Sequence, residues 1–201
     1  MTLLSLAVKG GWVMIFIALC SVIGLWVYIE RLLAYRRLAI DTPLLLEQLR
    51  TYVGSGKEDE AEERLNQSGA PVATVLAAGL RARKKGREAV KDALEDAGNQ
   101  QVYLLEERTN ILATVAGVAP LLGFLGTVTG MIRAFQQIEN LGGNVNATVL
   151  AGGIWEAMIT TAAGLIVGIP ALVAYNHLAA RIRALVADME KAGAELLSLL
   201  A

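Results

Sequence analysis

Cysteine and histidine are almost absent from this chain of 201 residues, which contains one of each, Cys20 and His177. A single cysteine cannot form an intrachain disulfide, and the two side chains supply too few ligands for a structural zinc site. No nucleophile–base pair and no phosphate-binding glycine loop occurs in the sequence. We therefore expect no metal, no cofactor and no enzymatic activity. The net charge of −1 gives no general attraction to nucleic acid.

Charged residues are also scarce, at 18% of the chain, while hydrophobic residues make up 55%. Soluble domains average about 25% charged residues. Residues 10–29 and 109–132 contain no charged side chain, and residues 140–180 contain only Glu156. A helix needs about 20 apolar residues to cross the hydrocarbon core of a bilayer. One such run could be a buried helix of a soluble protein, but three leave too little polar chain to cover them. We predict three membrane-spanning helices.

The first apolar run could instead be a secretory signal peptide, but no small-x-small cleavage site closes it. We interpret it as an uncleaved helix that ends at the membrane interface with Trp26 and Tyr28, as aromatic belts do. Cys20 then serves as a small apolar residue within this helix.

The distribution of lysine and arginine predicts the orientation of these helices. Residues 30–108 hold 13 of the 18 basic residues, and such enrichment is typical of cytoplasmic segments. The sequence thus predicts an all-α membrane protein with its N-terminus outside and long cytoplasmic extensions of helices two and three. Its parts are a first transmembrane helix (1–29), a cytoplasmic helical region (30–108), a second transmembrane helix (109–138), a periplasmic turn (139–147), a third transmembrane helix (148–180) and a cytoplasmic helical tail (181–201).

The predicted cytoplasmic region contains short amphipathic helices separated by turns. One helix begins at Asp41, and breaks follow at 54–56 and 68–71. Residues 88–108 contain no proline and one glycine, so we expect a helix that runs unbroken into the second span. The basic cluster at 81–87 could contact anionic lipid headgroups. A solvated helix face is the favoured interpretation, because four acidic residues follow closely: Glu88, Asp92, Glu95 and Asp96.

Apolar residues in the tail recur at alternating spacings of four and three, as in the seam of a coiled coil. They are Leu178, Ile182, Leu185, Met189, Ala192, Leu196 and Leu199. A seam needs a partner helix, which could be residues 88–108 of the same chain or a helix of another copy. A surface helix packed on the chain's own cytoplasmic lobe would show the same pattern.

The second and third spans are rich in small residues, whereas the first span carries bulkier ones. Small residues let membrane helices approach each other closely. We predict that Gly123, Gly126, Gly130, Gly164 and Gly168 pack the second and third spans together, and that the first span faces lipid.

Glu156 lies inside the third span, about eight residues or roughly 12 Å from its start. A charged acid costs about 2.5–3.5 kcal/mol at such depth, so it should face the protein interior or a watery cavity. Thr160 lies one turn further along the same face, and hydroxyls such as those of Thr127 and Thr161 can hydrogen-bond water. The nearest basic residue, Arg133, is at the outer end of the second span. We favour a role in passing protons or cations, and a protonated acid that only ties helices together is the alternative.

Two long motifs resemble those of a known family. Residues 119–132 (APLLGFLGTVTGMI), followed by Phe135, form the first, and residues 153–165 (GIWEAMITTAAGL), followed by IPA at 169–171 and YN at 175–176, form the second. Both resemble signatures of the ExbB/TolQ/MotA proton-channel family. YIER at 28–31 is similar to that family's end of the first helix. Three spans favour the ExbB/TolQ branch over the flagellar stator branch, which has a fourth.

The resemblance implies a homopentamer in the bacterial inner membrane, whose second and third helices line a proton pore among membrane lipids. A single-span partner of the ExbD/TolR type would sit in this pore, and the complex would convert the proton motive force into mechanical work on a TonB- or TolA-like protein. By position, Thr127, Glu156 and Thr161 fall on the family's pore-facing polar residues, and helix geometry adds Thr160. ExbB-type energisation of outer-membrane uptake is favoured. The alternatives are a TolQ-type role in envelope integrity and division, or a membrane scaffold without transport.

Overall fold

A computed structural model describes residues 11–38, 40–140 and 147–200. For residues 147–150 and 156 it describes the backbone only. Every regular element in these ranges is helical. The helices are α1 (Val13–Leu38), α2 (Thr42–Gly54), α3 (Glu58–Ser68), α4 (Pro71–Ala82), α5 (Arg87–Glu106), α6 (Thr109–Asn140) and α7 (Ala147–Leu199), with a 3₁₀ turn at Arg83–Lys85 between α4 and α5.

Three of these helices, α1, α6 and α7, contain stretches long and apolar enough to cross a membrane. This confirms the predicted all-α fold with three membrane helices. Helix α7 has 53 residues and continues without a break from the third apolar run through the tail. The predicted external turn falls largely on residues 141–146, which lie outside the described residues.

The chain divides into two units, of which the first contains residues 1–30 and 108–176. In this unit α1 buries one narrow stripe that includes Val13, Ile17 and Val27. On the same stripe a Cβ at Gly24 would lie 3.3 Å from Cγ1 of Val115 in α6. Most of the large apolar side chains of α1 in this unit are exposed: Ile15, Phe16, Leu19, Val22, Ile23, Leu25, Trp26 and Ile29. Such a surface suits a helix that faces lipid on most sides.

The second unit contains residues 31–107 and 177–201, and its core forms around α4. Leu76 and Leu80 of α4 are fully buried. A Cβ at Gly79, between them, would lie 2.7 Å from Cδ2 of Leu94 in α5 and 2.9 Å from Cδ2 of Leu196 in α7. The absence of a side chain at Gly79 therefore lets α5 and the tail of α7 close over α4.

Five of the seven residues in the predicted apolar seam of the tail are buried within this unit, and Leu185 and Leu199 are half-buried. Leu178, Ile182, Met189, Ala192 and Leu196 are each at most 5% exposed. Of the partners that the sequence left open, the structure supplies the same chain, since the tail lies against Leu94 in the predicted partner helix 88–108 and against Gly79 of α4.

The predicted helix boundaries in this unit are confirmed at α2 and α3. Asp41 caps α2, since its carboxylate accepts a hydrogen bond from the backbone N–H of Leu44 at 3.2 Å. Gly56 and Gly69 follow α2 and α3 with φ angles of 68° and 65°. Glycine adopts this left-handed conformation without the steric cost that a side chain brings.

The expected unbroken helix from residue 88 into the second span is wrong. Helix α5 ends at Glu106, Glu107 is extended with ψ 138°, Arg108 has φ 64°, and α6 begins at Thr109. In an unbroken helix the Leu105 carbonyl would accept the N–H of Thr109. Here the buried hydroxyl of Tyr35 donates to it at 2.6 Å.

Arg108 also has a partner at this break. Its guanidinium nitrogen lies 3.7 Å from a carboxylate oxygen of Glu30 on α1. The left-handed conformation is unfavourable for a residue as large as arginine, so contacts elsewhere in the fold must stabilise it.

The basic cluster at 81–87 is partly neutralised inside the second unit. The guanidinium of Arg81 lies 3.1 Å from Glu62, and Arg83 forms ion pairs with Asp59 and Glu62. Arg83 is only 13% exposed and also donates to the Leu80 carbonyl at 2.8 Å. The neutralising acids come from α3, rather than from the acidic residues that follow the cluster in sequence. These ion pairs favour a role within the protein over contact with lipid headgroups, but Arg83 does not lie on the solvated helix face that the sequence predicted.

The Tyr35 hydrogen bond predicts a specific loss of stability. We expect Tyr35→Phe to lower the free energy of unfolding by about 1 kcal/mol, because it removes a buried hydroxyl–carbonyl bond. Tyr103→Phe is the matched control, since the Tyr103 side chain is 72% exposed. The measurement is the thermal unfolding midpoint of each variant in detergent. Equal midpoints for the two variants would contradict this role of Tyr35.

Candidate functional site

Helices α6 and α7 approach each other backbone to backbone near their middles. A Cβ at Gly164 would lie 2.5 Å from the Ala119 carbonyl oxygen and 3.0 Å from the Gly123 Cα. A Cβ at Gly123 would lie 2.8 Å from the Thr160 carbonyl oxygen. No side chain fits at either position, because the atoms that it would meet belong to the opposing backbone.

The other three glycines of the predicted packing set lie along the same contact. A Cβ at Gly168 would lie 2.5 Å from Cγ of Pro120, and one at Gly130 would lie 3.2 Å from Cβ of Ala157. Gly126 lies against the side chain of Thr160. Gly153, which the sequence analysis did not single out for packing, behaves in the same way, since its Cβ would lie 2.5 Å from Cβ of Ala134.

Two threonine hydroxyls meet at this contact. The hydroxyls of Thr127 on α6 and Thr161 on α7 hydrogen-bond to each other. The Thr127 hydroxyl also lies 3.2 Å from the Ala157 carbonyl oxygen, and the Thr161 hydroxyl lies 3.2 Å from the Gly123 carbonyl oxygen. Both side chains are half-buried within the single chain. The pair therefore lies at the edge of the helix contact, where further groups can approach it.

This cluster of four oxygens supports two arrangements of protons. A hydroxyl donates one proton and can accept at its lone pairs. In one arrangement Thr127 donates to Thr161, which donates to the Gly123 carbonyl. In the other, Thr161 donates to Thr127, which donates to the Ala157 carbonyl. The same four oxygens thus form a short hydrogen-bond chain that can point in either direction.

Thr160 occupies a different place from its neighbour Thr161. Its side chain is 0% exposed, and its hydroxyl donates to the Ala157 carbonyl at 2.7 Å. A Cβ at Gly126 would overlap the Thr160 hydroxyl and lie 2.5 Å from the Thr160 Cβ. Thr160 thus fills the notch that Gly126 leaves in α6, inside the helix contact rather than at its edge.

The structure places the backbone of Glu156 within α7, directly before Ala157. Its side chain lies outside the description, so its part in the site rests on the sequence. Helix α6 carries no charged residue from Thr109 to Ile132.

Of the residues predicted for the pathway, the structure therefore brings Thr127 and Thr161 together and buries Thr160 beside them. Two backbone carbonyls, of Gly123 and Ala157, complete the cluster and were not predicted from the sequence. Every residue has a backbone carbonyl, so the sequence does not show which carbonyls accept hydrogen bonds from another helix. The small residues at both positions were the available signal, because only a close helix approach exposes a carbonyl to the opposing side chain.

The chain's single histidine and single cysteine have other surroundings. Arg181 donates to Nε2 of His177 at 3.2 Å, and both belong to the second unit. Cys20 is half-buried on α1. Across the parts of the chain that the structure describes, no group of three or more His, Cys, Asp or Glu side chains could hold a metal ion.

Comparison with known proteins covers the two helices of this site. Residues 67–191 match a family described as the MotA/TolQ/ExbB proton channel family. The ExbB-like 1 biopolymer transport protein of Synechocystis sp. is 35% identical over 182 residues, which is 88% of this chain and 70% of that protein.

Two further relatives carry ExbB and TolQ names. The biopolymer transport protein ExbB of Pseudomonas putida is 32% identical over 200 residues, covering 93% of this chain and 58% of that protein. The Tol-Pal system protein TolQ of Haemophilus influenzae is 45% identical over 98 residues, covering 48% of this chain and 42% of that protein. The chain therefore spans little more than half of the Pseudomonas putida protein and less than half of the TolQ protein.

The backbone contact at Gly164 predicts that even one added methyl group separates the helices. We expect Gly164→Ala to destabilise the protein by about 1–3 kcal/mol, because the new Cβ would press on the Ala119 carbonyl and the Gly123 backbone. Gly152→Ala is the control on the same helix, since a Cβ there would meet nothing within 4 Å. Thermal unfolding in detergent compares the two. A Gly164→Ala protein as stable as the control would show that α6 and α7 are not in contact as described.

Proposed function

This chain belongs to the MotA/TolQ/ExbB proton channel family, and we propose that it forms a proton-conducting stator ring in the bacterial inner membrane. In this proposal five copies surround a pore lined by α6 and α7, with their N-termini outside. A single-span partner of the ExbD/TolR type occupies the pore. Proton passage moves the partner relative to the ring and so delivers mechanical work to a TonB- or TolA-like protein.

The observation that carries the proposal is the hydroxyl pair of Thr127 and Thr161. The two side chains come from different helices, yet they bond to each other and to two backbone carbonyls. In a membrane helix, polar groups need such partners, since no water satisfies them in the hydrocarbon region. Both side chains are half-buried within the single chain, and we propose that their open side faces the pore or the partner.

The two hydroxyls can relay a proton between water and a carboxylic acid that reach the open side of the pair. A proton that arrives at a lone pair of one hydroxyl allows that hydroxyl to release its own proton to the other, which in turn releases one to water. The pair then points in the opposite direction and returns when its protons reorient. No covalent intermediate and no charged side chain is required at these two positions, because each hydroxyl both donates and accepts. The two carbonyls hold the hydroxyls in place by accepting hydrogen bonds and carry no proton onward.

Glu156 supplies the group that holds the proton between steps. It is the only acidic residue of the third apolar run, and that run contains no basic residue to neutralise it. An acid kept at that depth despite its cost is typical of proton relays. One proton crossing 100 mV releases about 2.3 kcal/mol. Several crossings therefore supply enough free energy for a mechanical step.

Within the family we favour the ExbB type, which energises uptake across the outer membrane. Proteins with ExbB names from Synechocystis sp. and Pseudomonas putida align with 88% and 93% of this chain, and this coverage supports the ExbB type. The TolQ of Haemophilus influenzae aligns with 48%, although at higher identity. A TolQ-type role in envelope integrity and division is the alternative.

The hydroxyl pair predicts that removing either hydroxyl blocks proton passage. Thr127→Val and Thr161→Val replace the hydroxyl by a methyl group of similar shape, so we expect proton flux to fall by about 100-fold while the complex still assembles. The measurement is the flux into proteoliposomes that hold the chain with its ExbD/TolR-type partner under an imposed potential.

Thr129→Val is the matched control for this experiment. The Thr129 hydroxyl bonds to the carbonyls of Leu125 and Gly126 on its own helix, at 3.0 and 3.1 Å. We expect its flux to stay close to that of the unmodified chain. Normal flux in an assembled Thr161→Val complex would refute the pathway.

Substitution of Glu156 separates proton transport from a scaffold without transport. Glu156→Gln keeps the size and much of the hydrogen bonding of the side chain but cannot release a proton. We expect it to abolish both flux and energised uptake, with assembly checked by native mass spectrometry. A scaffold predicts that the same variant is functionally silent, and that result would overturn the proposal.

A further inference from the structure

We propose that Thr160 is a positioning residue, whose contact with Gly126 sets the separation of α6 and α7 at which the Thr127 and Thr161 hydroxyls meet. This inference rests on the proposed function, since it assigns a role to a residue beside the same hydroxyl pair. It differs from the interpretation that the Thr160 hydroxyl itself carries protons.

Thr160 is completely buried in the contact between α6 and α7. Its side chain is 0% exposed, and its hydroxyl donates to a carbonyl of its own helix, that of Ala157, at 2.7 Å. A group sealed in this way is poorly placed to exchange protons with a pore. It is well placed to hold two helices at a fixed distance, because buried atoms at van der Waals contact resist compression.

The side chain of Thr160 packs directly against Gly126. The three atoms nearest to a Cβ built at Gly126 are Oγ1, Cβ and Cγ2 of Thr160, the last at 2.9 Å. The notch at Gly126 is therefore occupied by this one side chain. Any side chain at position 126 would have to displace Thr160 or move the helices apart.

This contact lies next to the hydroxyl pair in both helices. Gly126 directly precedes Thr127, and Thr160 directly precedes Thr161. The hydroxyls of Thr127 and Thr161 each lie 3.2 Å from the carbonyl across the contact. An increase in separation of about 0.4 Å would take both bonds out of hydrogen-bond range. The backbone contact at Gly123 and Gly164 lets the helices approach, and the packing of Thr160 in its notch sets the separation at which the chain of oxygens forms.

A size exchange between the two positions tests the proposal. We expect Gly126→Ala alone to lower proton flux per assembled complex by about tenfold or more, since a misplacement of about 1 Å can cost 100-fold. Gly126→Ala combined with Thr160→Gly removes all three crowding atoms, so we expect most of the flux to return although the Thr160 hydroxyl is gone. Gly117→Ala is the control on α6, because a Cβ there would meet nothing within 4 Å.

A second variant preserves shape and removes only the hydroxyl. We expect Thr160→Val to keep most of the flux, whereas the same change at Thr161 abolishes it. An assembled exchange variant that stays inactive, or an inactive Thr160→Val complex, would overturn the positioning role and return the Thr160 hydroxyl to the proton path.

A readout without proton flux separates this inference from the proposed function. In a Cys20→Ser background, which has no other cysteine, Thr127→Cys with Thr161→Cys can form a disulfide within one chain. We expect Gly126→Ala to slow its formation and the exchange with Thr160→Gly to restore it. If cross-linking follows this pattern while Thr127→Val and Thr161→Val leave flux unchanged, the proposed function fails and the positioning role stands. If cross-linking ignores Gly126→Ala, the positioning role fails.

Discussion

The close approach of α6 and α7 at Gly123 and Gly164 is the constraint on which the candidate site depends. In a bilayer the hydrophobic effect does not drive helices together, because lipid tails are as apolar as the side chains they would replace. Association must come from packing and hydrogen bonds at short range. Two glycines facing each other supply both, since they let the backbones touch and bring carbonyl oxygens within reach of threonine hydroxyls on the opposite helix.

This arrangement also explains how α6 and α7 combine polar and apolar surfaces. The hydroxyls of Thr127, Thr160 and Thr161 lie at the contact, while Leu121, Phe124 and Ile166 are exposed on the outside. Polar groups at the contact satisfy one another, so they carry little of the cost of an unpaired group in hydrocarbon. The exposed side chains are suited to lipid or to a neighbouring copy.

Much of the fold could be predicted from the sequence, because its signals are local. Runs without charge predicted the three membrane helices, Asp41 predicted a helix start, and the 4-3 spacing predicted the buried face of the tail. The break at Glu107 and Arg108 could not be predicted, since neither proline nor glycine marks it. Near it, Tyr35 donates to the carbonyl of Leu105, 70 residues further along the chain. A contact of that range becomes visible only when the helices are packed.

The site was predictable as a set of residues but not as an arrangement, and Thr160 and Thr161 show why. They are chemically identical neighbours, yet successive residues on a helix point about 100° apart. One side chain therefore enters the notch at Gly126, and the other reaches Thr127 at the edge of the contact. Which of them does so depends on the rotation of α7 relative to the glycines of α6. That rotation is a property of the packed pair, and neither helix encodes it alone. Thr160 and Thr161 thus have two roles within one helical turn. The first packs against Gly126 and sets the helix separation, and the second places its hydroxyl against that of Thr127.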